Sequence, residues 1–142
     1  MNALFRFRLL GLLALGLLSF PVTRALAVEG APPASGQLWD DIKDDTYDKR
    51  AHFSAGVNRL SAKLDDQIRE LRAKRANMTT DLKDWDFTMK EVDECRALLS
   101  GRMDDLARAT TPETWADAKD KIGEAWHRSQ AAVDKMNATR TS

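Results

Sequence analysis

This chain of 142 residues has one cysteine, Cys95, so no disulfide can form within it. Its core must hold by packing, or by association, as in other small domains without covalent staples. Burial as a small apolar side chain is the expectation for a lone thiol such as Cys95. Proline is missing from Gln37 to Thr111, where only Gly56 and Gly101 interrupt a run of good helix formers. No stretch shows the period-two alternation of a strand. The two histidines, His52 and His127, stand in no ligand motif such as a pair four residues apart. A glycine-rich phosphate loop and a nucleophile-elbow serine are also missing. The expectation is therefore no catalytic residue, no cofactor and no metal ligand. Nor is one sign of charge in excess: 22 Lys and Arg balance 22 Asp and Glu, alternating rather than forming a basic block. Phosphate binding rests on clustered cations, so no nucleic-acid partner is expected.

What is present begins with an export signature. Residues 1–8 carry Arg6 and Arg8 and no acid, Leu9 to Phe20 is apolar, and Ala25-Leu26-Ala27 has small residues at both cleavage positions. That order predicts a cleaved signal peptide over residues 1–27 and a periplasmic or secreted protein. The apolar part, about 12 to 14 residues, is shorter than the roughly 20 of a spanning helix. Removing the leader also removes Arg6, Arg8 and Arg24, which leaves a mildly acidic chain. Residues 28–36, rich in Pro, Gly and Ala, read as a flexible lead-in.

The remainder predicts an all-α fold, an antiparallel three-helix bundle or coiled coil over 37–137. The first helix, 37–76, carries the stripe Phe53, Val57, Leu60, Leu64, Ile68 and Leu71. Its steps follow an eleven-residue period, which keeps a helix nearly straight. Acid-first pairs four apart, Asp45–Lys49, Asp65–Arg69 and Glu70–Lys74, suit its exposed face. The second helix, 80–109, is expected to be capped by Thr80 and to bury Trp85, Met89, Val92, Cys95 or Arg96, and Leu99. A turn at 77–80 separates the two, although the stripe continues in phase and one helix over 37–109 is the alternative. The third, 112–137, opens at Thr111-Pro112-Glu113, with a cap residue, proline at the first helical position and an early acid. It carries Trp115, Ile122 and Trp126 in its stripe. Residues 138–142 read as a frayed tail.

Candidate interaction or core positions are Trp39, Trp85, Trp115, Trp126, Cys95 and Arg96. Aromatic bulk is what a thin bundle needs in its core, and indole also suits a membrane interface. Asp40, Asp44 and Asp48 would stack along one face of a straight helix, a poor shape for a cation site that needs converging oxygens. His52 lies four residues after Asp48, a spacing that permits a surface pair. Arg75 and Arg96, at stripe positions, suggest seams that set the register of associating helices.

The third helix reads T-W-x-D-x-K-x(6)-W-x(5)-A-V-D-K, in Thr114, Trp115, Asp117, Lys119, Trp126, Ala132, Val133, Asp134 and Lys135. It resembles the Trp-bearing amphipathic helix of small bacterial helical coiled-coil proteins grouped with stress-related or apolipoprotein-like sequences. The resemblance implies a bacterial, helical, non-enzymatic protein and supplies no catalytic residue. The expectation is an exported structural or interaction module acting by helix packing, with itself or another helical protein. The alternative is a lipid-binding protein whose stripes meet a membrane surface, against which a net acidic chain argues.

Overall fold

The computed structural model describes residues 34–138. The expected signal peptide, the lead-in up to residue 33 and residues 139–142 lie outside them. Of the described residues 86% are helical and none forms a strand, so the fold is an all-α helical bundle. Its helices are α1 (Ser35–Asp40), α2 (Arg50–Ala76), α3 (Leu82–Arg108) and α4 (Pro112–Ala138).

Apolar spacing builds the three long helices. Phe53, Val57, Leu60, Leu64, Ile68 and Leu71 of α2 are all buried, as the eleven-residue period places them on one face. They meet Trp85, Met89, Val92, Cys95, Leu99 and Leu106 of α3 and a broader face of α4 in one continuous core. Helices of this length are held chiefly by burying such stripes, with about 1.5–3 kcal/mol for each large apolar side chain removed from water.

Hydrogen bonds between helices fix the direction of packing. Gln67 pairs with Gln130, Lys74 donates to Asn137, and the Tyr47 hydroxyl donates to the Thr110 carbonyl. Each of these pairs is separated by 63 residues, so α2 and α4 run parallel in steady register. Between them α3 runs the other way. Its Arg96 meets Asp65 while its Asp86 meets Arg75 on α2, and its Glu91 meets Lys135 on α4.

The start of α4 is locally encoded. Thr111 Oγ1 accepts from the Thr114 amide at 3.3 Å, the Thr111 amide donates to Thr114 Oγ1 at 3.2 Å, and Pro112 fills the first helical position. At the other end of α3 the Thr80 cap does not form. The helix begins at Leu82 after Asp81, which takes the left-handed conformation with φ 57° and makes no side-chain cap.

The first helix expected over 37–76 does not exist as one element, and neither does the continuous helix over 37–109. After α1 the chain turns through 41–44, is extended at Thr46, makes one 3-10 turn at Tyr47–Lys49, and only then enters α2. Ser35 and Gly36, assigned to the flexible lead-in, belong to α1. Two forces break the helix. Asp40, Asp41, Asp44, Asp45 and Asp48 are weak helix formers that favour turns. Folding back also buries Leu38 and Ile42, which a straight helix would carry past the end of the core. Residues 34–46 thus form a clasp across the groove between α2 and α4.

Candidate functional site

The clasp is where the bundle departs from simple stripe packing. It is seated by two side chains in two glycine notches. A Cβ at Gly123 of α4 would stand 2.7 Å from Trp39 Cζ2, and one at Gly56 of α2 would stand 2.4 Å from Ile42 Cγ2. Only hydrogen fits at either place. Trp39 and Ile42 are three residues apart, which puts both on the groove side of one turn of chain.

Below this seat runs a chain of edge-to-face rings. Trp39 lies 6.3 Å from Phe53 and 5.8 Å from His127, Phe53 lies 5.3 Å from Trp115, and Tyr47 lies 6.1 Å from Trp115. Such pairs add about 0.5–1.5 kcal/mol each beyond their burial. Polar contacts then tie down the return of the clasp. Lys119 Nζ donates to the carbonyls of Lys43 at 2.7 Å and Asp45 at 2.9 Å, and sits over the Trp115 ring. The Asp45 carboxylate is buried and shares a 2.7 Å hydrogen bond with His52 Nδ1. His52 thus takes Asp45 and not Asp48, the partner its spacing permits, because the break in the helix brings Asp45 in. It also ends the stacking of Asp40, Asp44 and Asp48, since α1 stops at Asp40.

The six candidate positions have separate fates. Trp85, Trp115, Trp126 and Cys95 lie in the core, and Trp39 is partly buried against it. The indole N–H groups of Trp85 and Trp115 find no acceptor among the described residues, so packing rather than a hydrogen bond holds those rings. Burial pushes the Cys95 thiol up, away from the reactive thiolate. Arg96 pairs within the chain: its Nε and Nη2 reach both oxygens of Asp65 on α2, at 2.5 and 3.1 Å.

Arg75 pairs in the same two-point way with Asp86, and Arg72 reaches Asp93. These three arginines therefore set register within the chain, sealing the α2–α3 seam. The hydrogen bond from Arg96 holds the Asp65 carboxyl below its ordinary range, and Arg75 does the same for Asp86. The expected pairs four apart give way to such partners. Asp45 takes His52, Arg69 takes Asp66, and Lys74 takes Asn137. A pair worth a few tenths of a kcal/mol yields readily to a better-placed alternative.

Sequence reasoning gave Gly56, Gly123, Ile42 and Lys119 no place in a site. One available signal was the gap in the apolar stripe between Ile42 and Phe53, where Thr46, Lys49 and Arg50 stand. Among the described residues no group of three or more His, Cys, Asp or Glu is placed to hold a metal ion, and no helix is long and apolar enough to cross a membrane. Among the described residues, Phe87 on α3, 76% exposed, is the one large hydrophobic residue left exposed. The site offers shape and apolar contact: it can hold a turn of helix. Comparison of the chain with family models, curated proteins and solved structures finds no match.

Proposed function

We propose that this chain is an exported, non-enzymatic helical module that works by helix packing, against a second copy or another helical protein. One observation carries the reading: Trp39 and Ile42 of a short segment seat in notches made by Gly123 and Gly56. That is recognition of a helical turn by shape, built into the surface of the bundle. The basic, apolar and small-residue order of residues 1–27 supports export to the periplasm or beyond. The lipid-binding alternative has less support, because Trp85, Trp115 and Trp126 point into the core and the stripes meet one another.

Flotation of the chain beginning at Val28 with neutral and anionic liposomes tests the reading, with tryptophan emission recorded alongside. The expected result is protein left at the bottom of the gradient, its emission already blue-shifted before lipid is added. Co-flotation with a further blue shift would overturn it in favour of lipid binding. Expression with the native leader tests export: the periplasmic or secreted product is expected to start at Val28.

A further inference from the structure

We propose that the groove between α2 and α4 accepts the clasp of a second copy in place of the chain's own, so that two molecules associate by exchanging residues 34–44. This rests on the reading of the chain as a helix-packing module, and names its partner and its site.

Four observations lead to it. First, the groove has the shape of a receptor for one particular segment. Gly123 admits the Trp39 indole and Gly56 admits the branched Ile42 side chain, with Leu38 buried beside them. The segment known to satisfy both notches is this chain's own. Second, that segment has little structure independent of its seat. At six residues α1 is far too short to persist alone in water, so docking and helix formation occur together. Third, the clasp is joined to α2 by a stretch outside any α-helix, Lys43 to Thr46. Four extended residues span about 14 Å, enough to redirect the clasp to a neighbouring bundle lying side by side.

Fourth, exchange preserves the interactions. Trp39 in Gly123, Ile42 in Gly56, and Trp39 edge-on to His127 re-form between copies, because every partner is present in each. Only the path of the hinge changes. Exchange of an identical element is a low-barrier route to a symmetric dimer for that reason. The tethered clasp is favoured in dilute solution, because it competes at the effective concentration of its own linker. Exchange then prevails where copies are concentrated.

Complementation between two defective variants tests this. Trp39→Ala keeps a sound groove and supplies a defective clasp. Gly123→Ala keeps a sound clasp and blocks its own groove. At high protein concentration each alone is expected to be a monomer, and an equimolar mixture is expected to give a species of doubled mass containing both, by size exclusion with light scattering. Monomers alone in that mixture, with both variants retaining native helical circular dichroism, would overturn the proposal. If Gly123→Ala does not fold, Gly56→Ala mixed with Ile42→Ala provides the same test at the second notch. Wild-type dimer, if it survives unchanged in Trp39→Ala, likewise overturns clasp exchange. It leaves the helix-packing reading standing, whereas co-flotation with liposomes would remove that reading itself.

Discussion

The groove between α2 and α4 is closed in two different ways along its length. At the end where both helices begin, it is closed by shape: Trp39 and Ile42 fill glycine notches over Phe53 and Trp115. Toward the end where both helices finish, it is bridged by polar side chains, the Gln67–Gln130 amide pair and Lys74 to Asn137. The two solutions differ in how they fail. An apolar plug that loses an atom leaves a void, and a notch that gains one has no room, so both errors are expensive. A polar bridge at half-buried or exposed positions exchanges with water, and its loss is modest. The shape-closed half is therefore where the chain is specific, and the bridged half is where it is tolerant.

The largest test of that difference is Phe53→Ala. Phe53 is fully buried and touches both Trp39 and Trp115 by ring edges. A loss of about 3–5 kcal/mol is expected, read as a lowered urea midpoint. Removing Gln67 from the bridged half should cost far less. Equal losses from the two would end the distinction drawn here.

Glycine substitutions sharpen it next. Gly123→Ala gains up to about 1 kcal/mol of helix propensity, but overpacking against the rigid Trp39 indole costs about 1–3 kcal/mol, so net destabilisation is expected. Gly101 on α3 has nothing within 4 Å of its would-be Cβ. Gly101→Ala should therefore raise stability by up to about 1 kcal/mol. Opposite shifts in thermal midpoint are the expected pattern. A rise in both would mean that the clasp is not seated in its notch.

The bridged half has its own signature. Gln67→Leu leaves the Gln130 amide without its partner and should cost about 1 kcal/mol, the low end for a half-buried group. Gln67→Leu with Gln130→Leu should recover most of that loss, because two apolar side chains then meet. A double-mutant cycle measures the coupling. A double variant weaker than either single one contradicts the account.

How much of this was legible follows from where the information lies. The stripes of α2, α3 and α4 were readable because burial repeats with the helical period, and the start of α4 because Thr111 and Pro112 encode it locally. The break at 41–49 was marked only by the polar gap at Thr46, Lys49 and Arg50, since Ile42 and Phe53 are eleven residues apart and so stay in phase across it. The fold breaks there because Trp39 and Ile42 seat on two different helices, at Gly123 of α4 and Gly56 of α2. Gly123 is likewise mute until Trp39 is seen against it. Arg75 and Arg96 stand at stripe positions in the sequence, and the acids they pair with are on a neighbouring helix of the same chain.

Those arginine pairs supply the smallest expected effect, and its sign is fixed. The Arg96 hydrogen bond lowers the folded-state pKa of Asp65 below its unfolded value. A carboxylate so shifted contributes stability that is present above the unfolded pKa, near 4, and lost as pH falls through the folded value. Arg96 is 30% exposed and Asp65 48% exposed, so solvent screening limits the contribution to a few tenths of a kcal/mol. The thermal midpoint of Asp65→Asn should lie slightly below that of wild type at pH 6, and the gap should close as the pH approaches 2. Raising the salt to about 1 M at pH 6 should narrow it too, since the Debye length falls to about 3 Å. A gap that persists in strong acid would mean that Asp65 acts through packing rather than charge. The α2–α3 seam would then belong with the shape-closed end of the bundle, not the bridged one.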